Sequence, residues 1–191
     1  MRTLLDGVTV GGKPITETEQ ILALRDAHSR LDEMVATGSF ALVKATTDEL
    51  HALLARHEAI KSGHFRGEGS VTGGGHVRLS DGTRVPGLDS GGGGEALTER
   101  FDHIVSALSS LRDPREAAII YFAAATRAQF YFDGNKRTAR LMTSGYLMAN
   151  GYDAISITAA RRLEFNTALD SLFASDDATA LARLLASSAI D

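Results

Sequence analysis

The chain has 191 residues, 43% of them apolar and 23% charged, with a formal net charge of −4 and no cysteine. This composition suits one globular domain, expected over residues 1–191; it excludes disulfides, thiolate metal sites and a cysteine nucleophile, and an acidic chain with no Lys/Arg run argues against a polynucleotide partner. No stretch approaches the ~20 apolar residues of a membrane span, and Met1 to Leu5 runs at once into Asp6 and Gly7 rather than a signal-peptide core, so a cytoplasmic protein with no membrane partner is expected.

In chain order, Gly11-Gly12-Lys13-Pro14-Ile15 reads as a loop, and Thr16 with Glu19 forms a capping box that starts a helix with Ile21, Leu24, Leu31, Met34 and Val35 inward. These belong to a helical extension over about residues 1–40. A second box, Thr46 with Glu49, predicts a helix to about Ile60 that stops at Gly63, with Leu50, Leu53 and Leu54 inward. Residues 63–94 are Gly-rich, and within them Val77 to Val85 alternates around Asp81-Gly82, the pattern of a small β-hairpin over about 77–86.

From Glu95 the pattern is helical again, with Leu97, Phe101, Ile104, Val105 and Leu108 on one face. Asp113-Pro114-Arg115-Glu116 supplies an N-cap, proline at the first helical position and a box partner. The next helix, to about Ala128, is almost wholly apolar; without a solvent face it should lie at the centre. Another helix begins near Asn135, carries Leu141, Met142, Leu147 and Met148, and stops near Asn150-Gly151, giving a loop-helix unit over 129–149. Two more helices are expected over 159–173 and 177–187, so the fold class is all-α, a helical bundle with one hairpin.

Gln129-Phe-Tyr-Phe-Asp-Gly-Asn-Lys-Arg-Thr-Ala-Arg140 carries most of the chemistry. Helix-start N–H groups are unpaired and lie at the positive end of the helix dipole, so they attract anions, and Gly134 lets the backbone come close to one. Arg137 and Arg140, three apart, share a helical face on which two guanidinium groups can grip a polyphosphate. Asp133 is free to hold a Mg²⁺ that bridges phosphate oxygens. Phe130, Tyr131 and Phe132 are expected as core anchors, and Arg78 and Arg84 as solvated charges.

These residues resemble the signature of the Fic (Fido) family, His-x-Phe-x-(Asp/Glu)-Gly-Asn-(Gly/Lys)-Arg-x-x-Arg. Asp133-Gly134-Asn135-Lys136-Arg137 and Arg140 align with it, while Gln129 stands where the family has histidine and Tyr131 where it has phenylalanine. His51 to Arg66 is similar to the family segment that precedes its hairpin flap, Val77 to Pro86 is similar to the flap, and Gly151-Tyr152 resembles the family's exit from the signature helix.

The resemblance implies the Fic fold, ATP or another nucleoside triphosphate with Mg²⁺ as cofactors, and transfer of AMP to a protein hydroxyl. By that likeness Gly134, Asn135, Lys136, Arg137 and Arg140 bind the nucleotide phosphates, Asp133 binds the metal, and a target protein segment adds as a strand along the flap at Val77, Leu79 and Val85. The family's histidine is the general base, and an amide cannot replace a group whose unperturbed pKa is ~6.5, so Gln129 should impair transfer by about 10²- to 10⁴-fold. Among the other histidines, only His64 and His76 lie near the flap in sequence. The inhibitory glutamate of many relatives falls at Gly11 and its hydroxyl partner at Gly7, which implies an unobstructed Arg140. Lys136 also occurs in relatives similar to the phage toxin Doc, a protein phosphotransferase, so phosphoryl transfer and a non-catalytic nucleotide-sensing or protein-binding module stand as alternatives.

Overall fold

The computed structural model describes residues 15–69 and 74–188, with side chains of the first helix from Thr18 onward. The helices are α1 (Ile15–Ala36), α2 (Lys44–Leu54), α3 (Glu95–Leu108), α4 (Pro114–Ala128), α5 (Asn135–Ala149), α6 (Arg162–Ser175, entered through the 3₁₀ turn Ala159–Arg161) and α7 (Thr179–Ala186). A two-stranded antiparallel hairpin, β1 (His76–Arg78) and β2 (Arg84–Pro86), lies between α2 and α3. This is the expected helical bundle with one small hairpin. The capping box at Thr16 and the glycines at positions 7 and 11 fall outside the described residues and side chains.

Helix α4 packs against α3, α5, α6 and α7, while α5 also packs against α1 and α2. The Asp113 side chain accepts Arg115 N–H at the start of α4 and Pro114 takes the first turn, as the sequence specifies. Central as it is, α4 keeps a solvent face: Ile120 is 42% exposed while Tyr121, Phe122 and Ala125 are buried. Close approach of α5 to α1 needs the glycine at 145, because a Cβ there would stand 2.4 Å from the Phe40 ring and 2.6 Å from Leu31.

Helix α2 departs from expectation at both ends. It begins at Lys44 rather than at a Thr46 cap, with Thr46 buried inside it and Glu49 turned instead to Arg30 at 2.6 Å. Lys44 explains the earlier start: its ammonium bridges Asp48 at 2.6 Å and Glu68 at 2.8 Å and sits over the Phe65 ring. The helix ends at Leu54, and residues 55–63 fold back as successive turns over α2. His51 makes that reversal possible.

The Nδ1 of His51 accepts Gly63 N–H at 2.8 Å, so the ring proton is on Nε2, which donates to the Asp133 carbonyl at 2.9 Å. Its ring stacks on Tyr131 with centroids 3.6 Å apart, and the Tyr131 hydroxyl donates to Asp48 at 2.7 Å. Thus a buried neutral imidazole ties the end of α2 to the loop before α5. Burial pulls its pKa down to about 4, against the opposing pull of the Asp133 carbonyl.

Arg66 is the second buried tie, only 4% exposed. Its Nε donates to the Gln129 carbonyl at 2.5 Å, Nη2 to Leu88 O at 2.7 Å and to Ala128 O at 3.4 Å, and Nη1 to Gly74 O at 3.3 Å. Its own N–H donates to Phe130 O at 2.7 Å. One guanidinium therefore binds the C-terminus of α4, the loop beyond it and both sides of the hairpin base, and its positive charge lies at the negative end of the α4 dipole.

Replacing Arg66 with Met should leave the carbonyls of Gln129 and Leu88 without this donor, Ala128 keeping only Leu88 N–H, and cost about 3 kcal/mol in urea unfolding. Because His51 is held neutral, its contribution is complete above pH ~6.5 and is lost as pH falls toward 4. Wild-type stability should drop by roughly 3 kcal/mol across that interval, with this component absent in His51→Gln when unfolding is followed against pH.

Candidate functional site

The chain leaves α4 through Gln129, which is in the left-handed region at φ 53°, and re-enters a helix at Asn135 behind Gly134 at φ 73°. Asn135 ties this loop into a closed unit: its Oδ1 accepts Tyr131 N–H at 2.7 Å, and its Nδ2 donates to Tyr131 O at 2.7 Å and to Gln129 Oε1 at 3.1 Å. Gln129 in turn donates through Nε2 to Thr126 O at 2.7 Å. Gln129, expected at the reacting position, and the Asn135 side chain, expected at the nucleotide phosphates, are thus both engaged in holding the loop. Gly134 cannot be replaced cheaply, since besides its φ a Cβ would stand 3.2 Å from Ala55 and 3.3 Å from His51.

No side chain caps α5, and its first intrahelical bond is Thr138 N–H to Gly134 O at 2.9 Å. The N–H groups from Asn135 to Arg137 therefore open on a cavity of about 500 Å³. The cavity is bounded by the loop, by β1 and by one face of α6. Lys136 and Arg137 line it, together with Asp133, Gln129 and Thr126. The Lys136 ammonium lies 5.8 Å from the Phe165 ring centroid; burial lowers its pKa, and Arg140, Arg137 and Arg162 lower it further. The Thr126 hydroxyl is buried without a hydrogen-bond partner.

Asp133 is 62% exposed, and its Oδ1 accepts Gly134 N–H at 2.6 Å. It stands alone: among the described residues no group of three or more His, Cys, Asp or Glu side chains is placed to hold a metal ion. A single hard carboxylate suits a Mg²⁺ whose remaining ligands are phosphate oxygens and water, and it does not suit a cation held by protein alone. Arg140, one turn beyond Arg137, is not among the residues that line the cavity; it is half-buried near His28 of α1 and has no ion pair among the described residues. The two arginines therefore diverge more than their spacing suggests.

The hairpin differs in detail from its sequence pattern. Ser80-Asp81-Gly82 form a three-residue loop, with Leu79 N–H to Thr83 O at 2.8 Å, Gly82 N–H to Leu79 O at 3.0 Å and Gly82 at φ 89°. Gly87 N–H pairs with Gly75 O at 2.7 Å, so alternation turns the backbone of Val77, Leu79 and Val85 into the ladder and that of His76 and Arg78 outward. The outward positions, rather than Val77, Leu79 and Val85, are those a strand could pair with. Ser80, next in line, gives its N–H and hydroxyl to Asp170 of α6.

Of the two histidines singled out, His76 lines the cavity, whereas His64 is exposed beside Glu68. Phe130 and Tyr131 are buried as expected, but Phe132 lines the cavity instead, its ring against Gly74. The sequence reading missed Asn166 and Asp170 in the cavity wall; two polar residues four apart beside the buried Phe165, Leu169 and Phe173 are the signal that could have marked them. Arg78 and Arg84 are exposed, facing each other across the hairpin.

No family model matches the chain. A curated relative, Protein adenylyltransferase Fic of Drosophila mojavensis, is 27% identical over 160 residues, which is 83% of this chain and 30% of that protein. The chain thus spans less than a third of that relative's length. Among solved structures, Fic-1 of C. elegans superposes with a TM-score of 0.75 at 20% identity, over 98% of this chain and 53% of the other. BepC of Bartonella tribocorum, a VirB-translocated effector solved with bound AMPPNP, superposes with a TM-score of 0.51 at 17% identity, over 85% of this chain and 84% of the other. In sequence the chain is similar to Fic proteins, and its architecture is the Fic fold.

Proposed function

We propose that this protein binds a nucleoside triphosphate with Mg²⁺ at the start of α5, and that AMP transfer from this site to a protein hydroxyl is strongly impaired. The observation that carries the reading is the division of labour in the loop. The helix N-terminus is uncapped and flanked by Lys136 and Arg137, while the side chain of Gln129 is spent on Thr126 and Asn135. Phosphate oxygens would lie on the N–H groups from Asn135 to Arg137, with Lys136 and Arg137 beside them and Arg140, which has no ion pair among the described residues, one turn further along. Asp133 would hold the Mg²⁺, which when bound neutralises charge on the phosphate oxygens.

Transfer to a Ser, Thr or Tyr hydroxyl needs a group that takes up its proton, and the Gln129 amide does not do so near neutral pH. The target segment would pair with the outward backbone groups of His76 and Arg78, extending the hairpin by one strand. Lys136, an extra cation at the cavity where many relatives have glycine, favours transfer of the terminal phosphoryl group as a second reading.

Calorimetry should show ATP binding that depends on Mg²⁺ and is weakened by about 1.5–3 kcal/mol in Asp133→Ala and in Arg140→Ala. ATP labelled at the α-phosphate should give little protein labelling with wild type and measurable labelling with Gln129→His. Robust wild-type labelling that is lost in Gln129→Ala would contradict the impaired-transfer reading, and labelling from the γ-phosphate alone would establish the second reading.

A further inference from the structure

Arg137 lines the cavity, yet its guanidinium is not loose. Nη2 is ion-paired with Glu58 on the turn after α2 and lies 3.8 Å from Asp133 Oδ1. The Glu58 side chain is only 13% exposed, and its other oxygen accepts Gln20 Nε2 of α1 at 2.9 Å. Glu58 is not among the residues that line the cavity. The carboxylate therefore grips Arg137 from the protein side and leaves the cavity side of the fork for a ligand.

We infer that Glu58 is a positioning residue for Arg137, which fixes the guanidinium toward phosphate before any ligand arrives; this rests on the proposed phosphate site at the start of α5. An arginine free to swing loses rotamer freedom when it grips an anion, whereas one already pinned has lost that freedom on folding. A glutamate acting as a brake would have to stand in the cavity where phosphate goes, and Glu58 stands behind it. The arrangement also explains a feature the sequence pattern obscured. Residues 55–63 leave the helical path and turn back over α2, which brings Glu58 to Arg137 while Gly63 N–H reaches His51. Burying a carboxylate there is tolerable because Arg137 pairs its charge and Gln20 donates to its other oxygen.

The test is a double-mutant cycle in the full chain, read by calorimetry with ATP plus Mg²⁺ and, separately, with adenosine. Glu58→Gln keeps the shape and the contact with Gln20 but removes the charge; it should weaken ATP binding about tenfold and leave adenosine binding unchanged. In an Arg137→Ala background the same substitution should change nothing further, and Gln20→Ala alone should weaken ATP binding less than Glu58→Gln does. Tighter ATP binding by Glu58→Gln would overturn the inference in favour of a competing carboxylate. Unchanged ATP binding, an equal loss for adenosine, or a loss that persists beside Arg137→Ala would overturn it as well. If Arg137→Ala binds ATP as wild type does, the phosphate site itself is refuted and the positioning role goes with it.

Discussion

A single buried guanidinium sets the geometry on which the rest of the site depends. Arg66 binds carbonyls from the last turn of α4, from Gln129 and from both sides of the hairpin base, and among the described residues no carboxylate pairs with it directly. A buried charge is costly unless it is hydrogen-bonded. Here the planar fork meets oxygens that already carry the negative end of a helix dipole, and only the more distant Asp89 adds a formal charge of opposite sign. Two walls of the cavity, the loop and the hairpin, consequently hang from one anchor. Direct contacts add to it: Leu88 N–H donates to Ala128 O at 3.3 Å, and the Phe132 ring lies against Gly74.

Around that anchor the polar groups of the signature divide into two sets. Gln129, Asn135 and, from α2, His51 use their hydrogen-bonding capacity to hold the loop. The N–H groups at the start of α5, with Lys136, Arg137 and Asp133, remain facing the cavity. Tyr131 is held at both ends, because its hydroxyl reaches Asp48 and its ring covers His51. The glutamine at 129 is likewise accommodated by structure, since its amide both donates and accepts within the loop. The start of α5 thus stays uncapped while Gln129 beside it is taken up by the loop.

Much of the bundle was legible because it is written in local rules. The stripe Leu97, Phe101, Ile104 and Leu108 gave α3, Asp113-Pro114 gave the start of α4, and Asn150-Gly151 gave the end of α5. What was illegible is set by distant partners. Nothing between Ala55 and Ile60 breaks a helix; α2 ends because His51 and Arg137 capture the chain just beyond it. The Thr46 and Glu49 box fails because Glu49 pairs with Arg30 and Lys44 finds Asp48 and Glu68. Composition likewise identified the hairpin but not its parity, which depends on whether the turn holds two residues or three.

The central claim is that the backbone at the start of α5 is a preorganised phosphate cradle. An amide-resolved NMR titration of the wild-type chain with ATP and Mg²⁺ tests it most directly. The claim requires the largest shifts at the N–H groups of Asn135, Lys136 and Arg137, saturating together, while the amides of β2 stay nearly still. Saturable ATP binding that leaves those three amides unperturbed would contradict it.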